Sequence, residues 1–67
     1  MTFKARQCYV IVREQEDENV KLIDKIPVAV FYDLETAEGN AEGYNLAMEE
    51  GNVLGVKFYV AVTVAYE

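Results

Sequence analysis

From Val56 to Tyr66 apolar side chains take every second position: Val56, Phe58, Val60, Val62, Val64 and Tyr66 fall on one side, and Lys57, Tyr59, Ala61, Thr63 and Ala65 on the other. Successive side chains of an extended chain point to opposite faces, so Val53 to Tyr66 reads as a long strand. Gln7 to Arg13 is rich in β-branched and aromatic residues and gives way to the wholly polar Glu14 to Asn19, a strand running into an exposed turn. Val20 to Asp33 supplies another extended stretch, best formed over Val28 to Tyr32. Pro27 has no N–H to give to a ladder, which predicts an edge position with a bulge or break beside it. Lys21 to Asp24 fits either the start of that strand or a short strand of its own.

Between the last two extended stretches the period changes. Leu34, Ala37, Ala41, Tyr44 and Met48 recur at intervals of three and four. They fall within about 80° of one another at the helical repeat, which predicts an amphipathic helix. Asp33 is placed to cap its first turn, Glu35 and Glu38 lie near the positive end of its dipole, and Glu49 and Glu50 oppose the negative end. Gly51 is the expected stop, in the left-handed conformation. Gly39 and Gly43, inside the helix, each cost about 1 kcal/mol relative to alanine, so packing must hold it.

The order strand, strand, helix, strand predicts one small α+β domain spanning residues 1–67. Neighbouring strands tend to form hairpins, and the third then pairs beside the first in a three-stranded antiparallel sheet of order 2-1-3. A third strand parallel to the second would put Pro27 at the centre. One helix covers one face. With the Val56 to Tyr66 side and Cys8, Val10, Val12, Val28 and Val30 beneath it, the other face would carry Tyr9, Ile11, Ala29, Phe31, Tyr59, Ala61 and Ala65. Such a patch marks an interface, and a symmetric homodimer is the expected solution. The alternative is that the N-terminal segment or Val20 to Ile26 folds over it.

Composition narrows the chemistry. The 67 residues include no His, Ser or Trp, and twelve acidic residues face six basic ones, for a net charge of −6. A chain this short buries only about 60% of its unfolded surface and needs support. The single cysteine, Cys8, excludes an internal disulfide, and no zinc site can be assembled, which leaves oligomerisation. An apolar content of 52% argues against disorder. Lys4 and Arg6 precede only the short run Tyr9 to Val12, too brief for a leader or a membrane span, so a cytoplasmic protein is expected. Cys8, with no histidine to activate it, reads as a small hydrophobe. Paired carboxylates need a cleft that so small a domain rarely encloses. Glu14 to Asn19 lacks the spacing of a calcium loop. No enzyme activity, cofactor or metal is expected.

Two flanks of the helix differ. Glu35, Glu38, Glu42 and Glu49 project on one side, whereas Thr36, Gly39, Asn40, Gly43, Leu46 and Ala47 on the other carry no charge. Small residues four apart let another backbone approach, so Gly39 and Gly43 imply either contact with a twin or partner helix or close packing within the chain. The acidic flank, with Glu16, Asp17 and Glu18 of the turn, suits a basic protein surface, including one that normally holds nucleic acid. The competing reading is a solvated, solubilising face. Direct nucleic-acid binding is not expected, because the six cations are few and dispersed.

In size and composition the chain resembles the small acidic accessory proteins of phage and mobile-element genomes. That resemblance implies an inhibitor that binds host machinery, and no specific motif accompanies it. The expected function is a non-enzymatic protein-binding module, with Tyr9, Ile11, Phe31 and Tyr59, together with Gly39, Gly43 and Leu46, as interface residues. The alternative is a homodimeric structural or small-ligand-binding module with the apolar sheet face between subunits.

Overall fold

A computed structural model describes residues 4–17 and 22–66. Strand β1 spans Ala5–Asp17, β2 Leu22–Phe31 and β3 Val56–Tyr66, with helix α1 at Leu34–Glu50. The sheet is antiparallel with order β2-β1-β3, the α+β arrangement that the sequence pattern predicts. The β-branched run of β1 is paired on both sides. Pro27 stands on an edge strand, opposite Val12, where the β1–β2 register shifts.

Three local expectations are corrected. First, the polar segment Glu14 to Asp17 is strand, not turn: Glu14 pairs with Lys25 on one side and Lys57 on the other, and Glu16 pairs with Ile23. Glu14 reaches the Lys57 ammonium at 3.0 Å and the Lys25 ammonium at 3.9 Å, and opposite charges across a ladder favour the extended form. Leu22 to Asp24 accordingly belongs to β2 itself. Second, Gly51 ends the helix with φ −84°, and the left-handed residue is Asn52, at φ 54°. The Asn52 N–H donates to the Glu49 carbonyl and the Val53 N–H to that of Met48, at 3.1 and 2.9 Å. This is a Schellman turn with asparagine in the place glycine usually takes. Third, β3 begins at Val56, because Asn52 and Gly55, both at positive φ, turn the chain first.

The register also corrects the division of the faces. Residues directly opposite in a ladder share a side. Ile11 stands between Ala29 and Val60, Tyr9 between Phe31 and Val62, and Arg13 opposite Phe58. This is the helix side: Ile11 is wholly buried, Ala37 and Ala41 are buried, and the Tyr44 ring stacks on Phe58 at 5.0 Å. The even-numbered residues of β3 do face α1, but with the odd-numbered residues of β1. Cys8, Val10 and Val12 lie instead on the open side, paired with Thr63, Ala61 and Tyr59, and Val30 joins them opposite Val10. A one-residue slip exchanges the faces of a strand, and β1 is apolar on both, so its pattern alone does not set the register.

The core is slight. Among the described residues, the buried apolar side chains are Cys8, Ile11, Ala37 and Ala41. The molecule measures 49 × 26 × 11 Å, and its radius of gyration is 14.4 Å, against about 11 Å for a compact chain of this length.

Asp33 caps α1, accepting from the Thr36 N–H at 2.9 Å and the Thr36 hydroxyl at 2.6 Å. The hydroxyl first, then the N–H, hold its carboxyl below the usual 3.8. A carboxyl with a depressed folded pKa adds stability above its unfolded pKa and loses it as pH falls through the folded one. Asp33→Ala should therefore melt below the parent chain at pH 7, and the gap should narrow as pH is lowered from about 4. Melting curves recorded across that range check this; a gap of constant size would mean that the carboxylate charge is not what stabilises the cap.

Candidate functional site

Asn45 lies one turn beyond Ala41 on the sheet-facing side of α1. Its Nδ2 donates to the Phe58 carbonyl and its Oδ1 accepts from the Phe58 N–H, both at 2.8 Å. A primary amide carries the same donor and acceptor as a peptide group, so it fills the place of one residue of a fourth strand. Both Phe58 groups thus point away from β1. With the period of two, so do those of Val60, Val62 and Val64. No described strand lies beyond β3 on this side. The free edge begins where Asn45 stops.

Beside that edge runs the acidic flank. Glu38, Glu42 and Glu49, with Ala41, Leu46 and Val60, line a groove of about 440 Å³ between α1 and β3. Glu35 falls on the same flank by helical spacing, and all four glutamates are exposed.

The other expected acidic residues do not join them. Glu16, of the same parity as Glu14 along β1, belongs to the open side of the sheet. Asp17 ends β1, and Glu18 lies outside the described residues. The groove near Glu16, of about 320 Å³, is also lined by Glu14 and Lys57 and is mixed in charge. There the hydrogen bond from Lys57 to Glu14, and then the attraction of that carboxylate, raise the Lys57 pKa above 10.5. The expected single acidic surface is two surfaces, because the polar segment pairs as strand.

The apolar candidates separate in the same way. Ile11 is sealed under the helix and cannot be an exposed interface residue. Tyr9 and Phe31 are half-buried on the helix side, whereas Tyr59 is half-buried on the open side, near Val10, Val12, Val30 and Ala61. Gly39 and Gly43 point outward from α1, whereas Leu46, expected on the uncharged flank, is half exposed and lines the glutamate groove, because helical spacing sets it beside Glu42. A Cβ built on Gly39 or Gly43 meets nothing within 4 Å among the described residues, so close packing against these does not account for them.

Asn45 is the residue that sequence reasoning missed. Its signal was a lone polar side chain on the apolar stripe, one turn after Ala41. Cys8 is a buried free thiol. Among the described residues, no group of three or more His, Cys, Asp or Glu is placed to hold a metal, and no helix is long and apolar enough to cross a membrane. Comparison with protein-family models, with curated proteins and with solved structures yields no match.

Because an added Cβ meets none of the described residues, Gly39→Ala and Gly43→Ala should each stabilise the chain by about 1 kcal/mol through helix propensity. Thermal melting checks the sign. A lowered midpoint, or a smaller mass in solution, would show that the stripe packs against another chain.

Proposed function

We propose that this chain is a non-enzymatic, cytoplasmic protein-binding module that works as a homodimer: the open sheet face joins two copies, and the glutamate flank meets a basic partner surface. The observation that carries the reading is the exposed area. The chain presents 5380 Å² to solvent. Folded monomers of its mass expose about 4,300 Å². The excess of about 1,100 Å² is comparable to the roughly 800 Å² that each partner contributes to a standard interface.

A second copy suits the open face by its chemistry. Val10, Val12, Val30, Tyr59 and Ala61 make an apolar centre, and paired sheets bury such centres about 10 Å apart. A two-fold axis crossing β1 at Val10 would set the Arg6 end of one copy against Glu14 of the other. Soluble oligomers most often adopt this symmetry.

The acidic flank supports the second half of the reading. The residues lining the groove include three carboxylates and no cation, so its field attracts positive surfaces and repels nucleic acid. An inhibitor of the phage type, standing in for nucleic acid on a host protein, is the form that the net charge of −6 favours.

Two measurements test these halves separately. Tyr59→Glu should give monomers or unfolded chains by light scattering; an unchanged mass with an intact circular dichroism spectrum removes the dimer. Capture of a partner from the native cell extract should weaken with added salt and with the change Glu38→Gln plus Glu42→Gln. A complex indifferent to both would remove the acidic flank as the binding surface.

A further inference from the structure

We infer that the free edge of β3 accepts an extended basic segment of a partner protein as a fourth strand, lying along the glutamate flank of α1. This rests on the proposed protein-binding role and specifies how the partner is held. Strand addition draws affinity from main-chain hydrogen bonds and specificity from the pockets that take alternate side chains.

The edge supplies the first requirement. Val60, Val62 and Val64 each present one donor and one acceptor outward, in an unbroken row. The opposite edge of the sheet is less suited, because Pro27 and the register shift interrupt β2. Asn45 already occupies the same kind of position at Phe58 with two hydrogen bonds of 2.8 Å. Its amide also sets the register, since an incoming strand has Val60 as its first unoccupied partner.

The groove supplies the second. Every other side chain of an added strand would enter the space lined by Glu38, Glu42 and Glu49. Side chains two apart in a strand are separated by about 6.8 Å. Glu38 and Glu42, one turn apart, are separated by about 6 Å along the helix axis. Lysine or arginine at alternate positions therefore matches the carboxylates one for one, and the intervening side chains, small and apolar, extend the row of Tyr59, Ala61 and Thr63 on the open side. A second copy fits poorly here. Its own β3 would bring Phe58, Val60 and Val62 against the carboxylates, and its β2 offers only Lys25.

The test uses the full chain, labelled for amide NMR, with an end-blocked peptide of alternating lysine and valine as probe. Two control peptides replace lysine by glutamate or carry methyl groups on the alternate backbone nitrogens. The lysine peptide should shift the amides of Val60, Val62 and Val64 and slow their exchange, and neither control should do so. Glu38→Gln with Glu42→Gln, whose fold is checked by circular dichroism, should weaken binding by about tenfold at low salt. No binding at millimolar peptide overturns the inference. So does protection that falls on β2, or equal binding of the methylated peptide. If the native partner is still captured in a manner that depends on Glu38 and Glu42, the inference alone has failed; if that capture is also lost, the protein-binding role through this flank fails with it.

Discussion

The helix is joined to the sheet by contacts of two kinds, and only one has direction. The burial of Ala37, Ala41 and Ile11, and the Tyr44 ring on Phe58, remove surface from water but tolerate sliding. The Asn45 amide does not: two hydrogen bonds to the N–H and C=O of one residue fix both position and rotation. From that bond follows the location of the helix along β3, away from the β2 edge. Ile26, which pairs with Arg13 on the helix side of β2, stays exposed as a result. The placement also turns the glutamates toward β3 and away from the open side. The distribution of charge and apolar surface thus depends on where one side-chain amide is bonded.

Much of this arrangement is legible in the residues. The alternation of Val56 to Tyr66, the helical spacing from Leu34 to Met48, the cap at Asp33 and the edge position forced by Pro27 each have one local cause, and each is read without knowing its neighbours. The features that escape depend on two segments at once. Cys8 to Val12 is apolar on both sides, so which side meets the helix is decided by pairing with β3. Glu14 looks like turn until Lys25 and Lys57 stand opposite it. Asn52, next to a glycine, takes the left-handed position, and Gly55 is needed where the chain turns again, because the carbonyl of Glu16 would lie 3.3 Å from a Cβ there. Asn45 has meaning only beside Phe58.

The Lys25–Glu14–Lys57 row has a further role at its end of the sheet. It places one carboxylate between two ammonium groups and one lysine on each edge strand. Lysines on exposed edges discourage unplanned strand pairing. The two ends of β3 are therefore treated differently: the end near Lys57 carries a charge and the Asn45 amide, and the end from Val60 onward carries neither. The buried Nε of Arg13, which has no hydrogen-bond partner among the described residues, marks how little polar support the thin core provides.

The pairing of β1 with β3 also governs how the chain reaches this state. Ala5 pairs with Tyr66, so the central ladder joins residues separated by almost the whole described length. Contacts of such separation form slowly, because the loop must be closed before they contribute. The β1–β2 hairpin can form first, but two strands alone are marginal in water, and β1 must wait with one side open. During that wait any β3 of the right sequence completes it. The ladder that closes within one chain closes equally well between two, so exchange of the last strand between copies is an intrinsic competitor of folding in this topology.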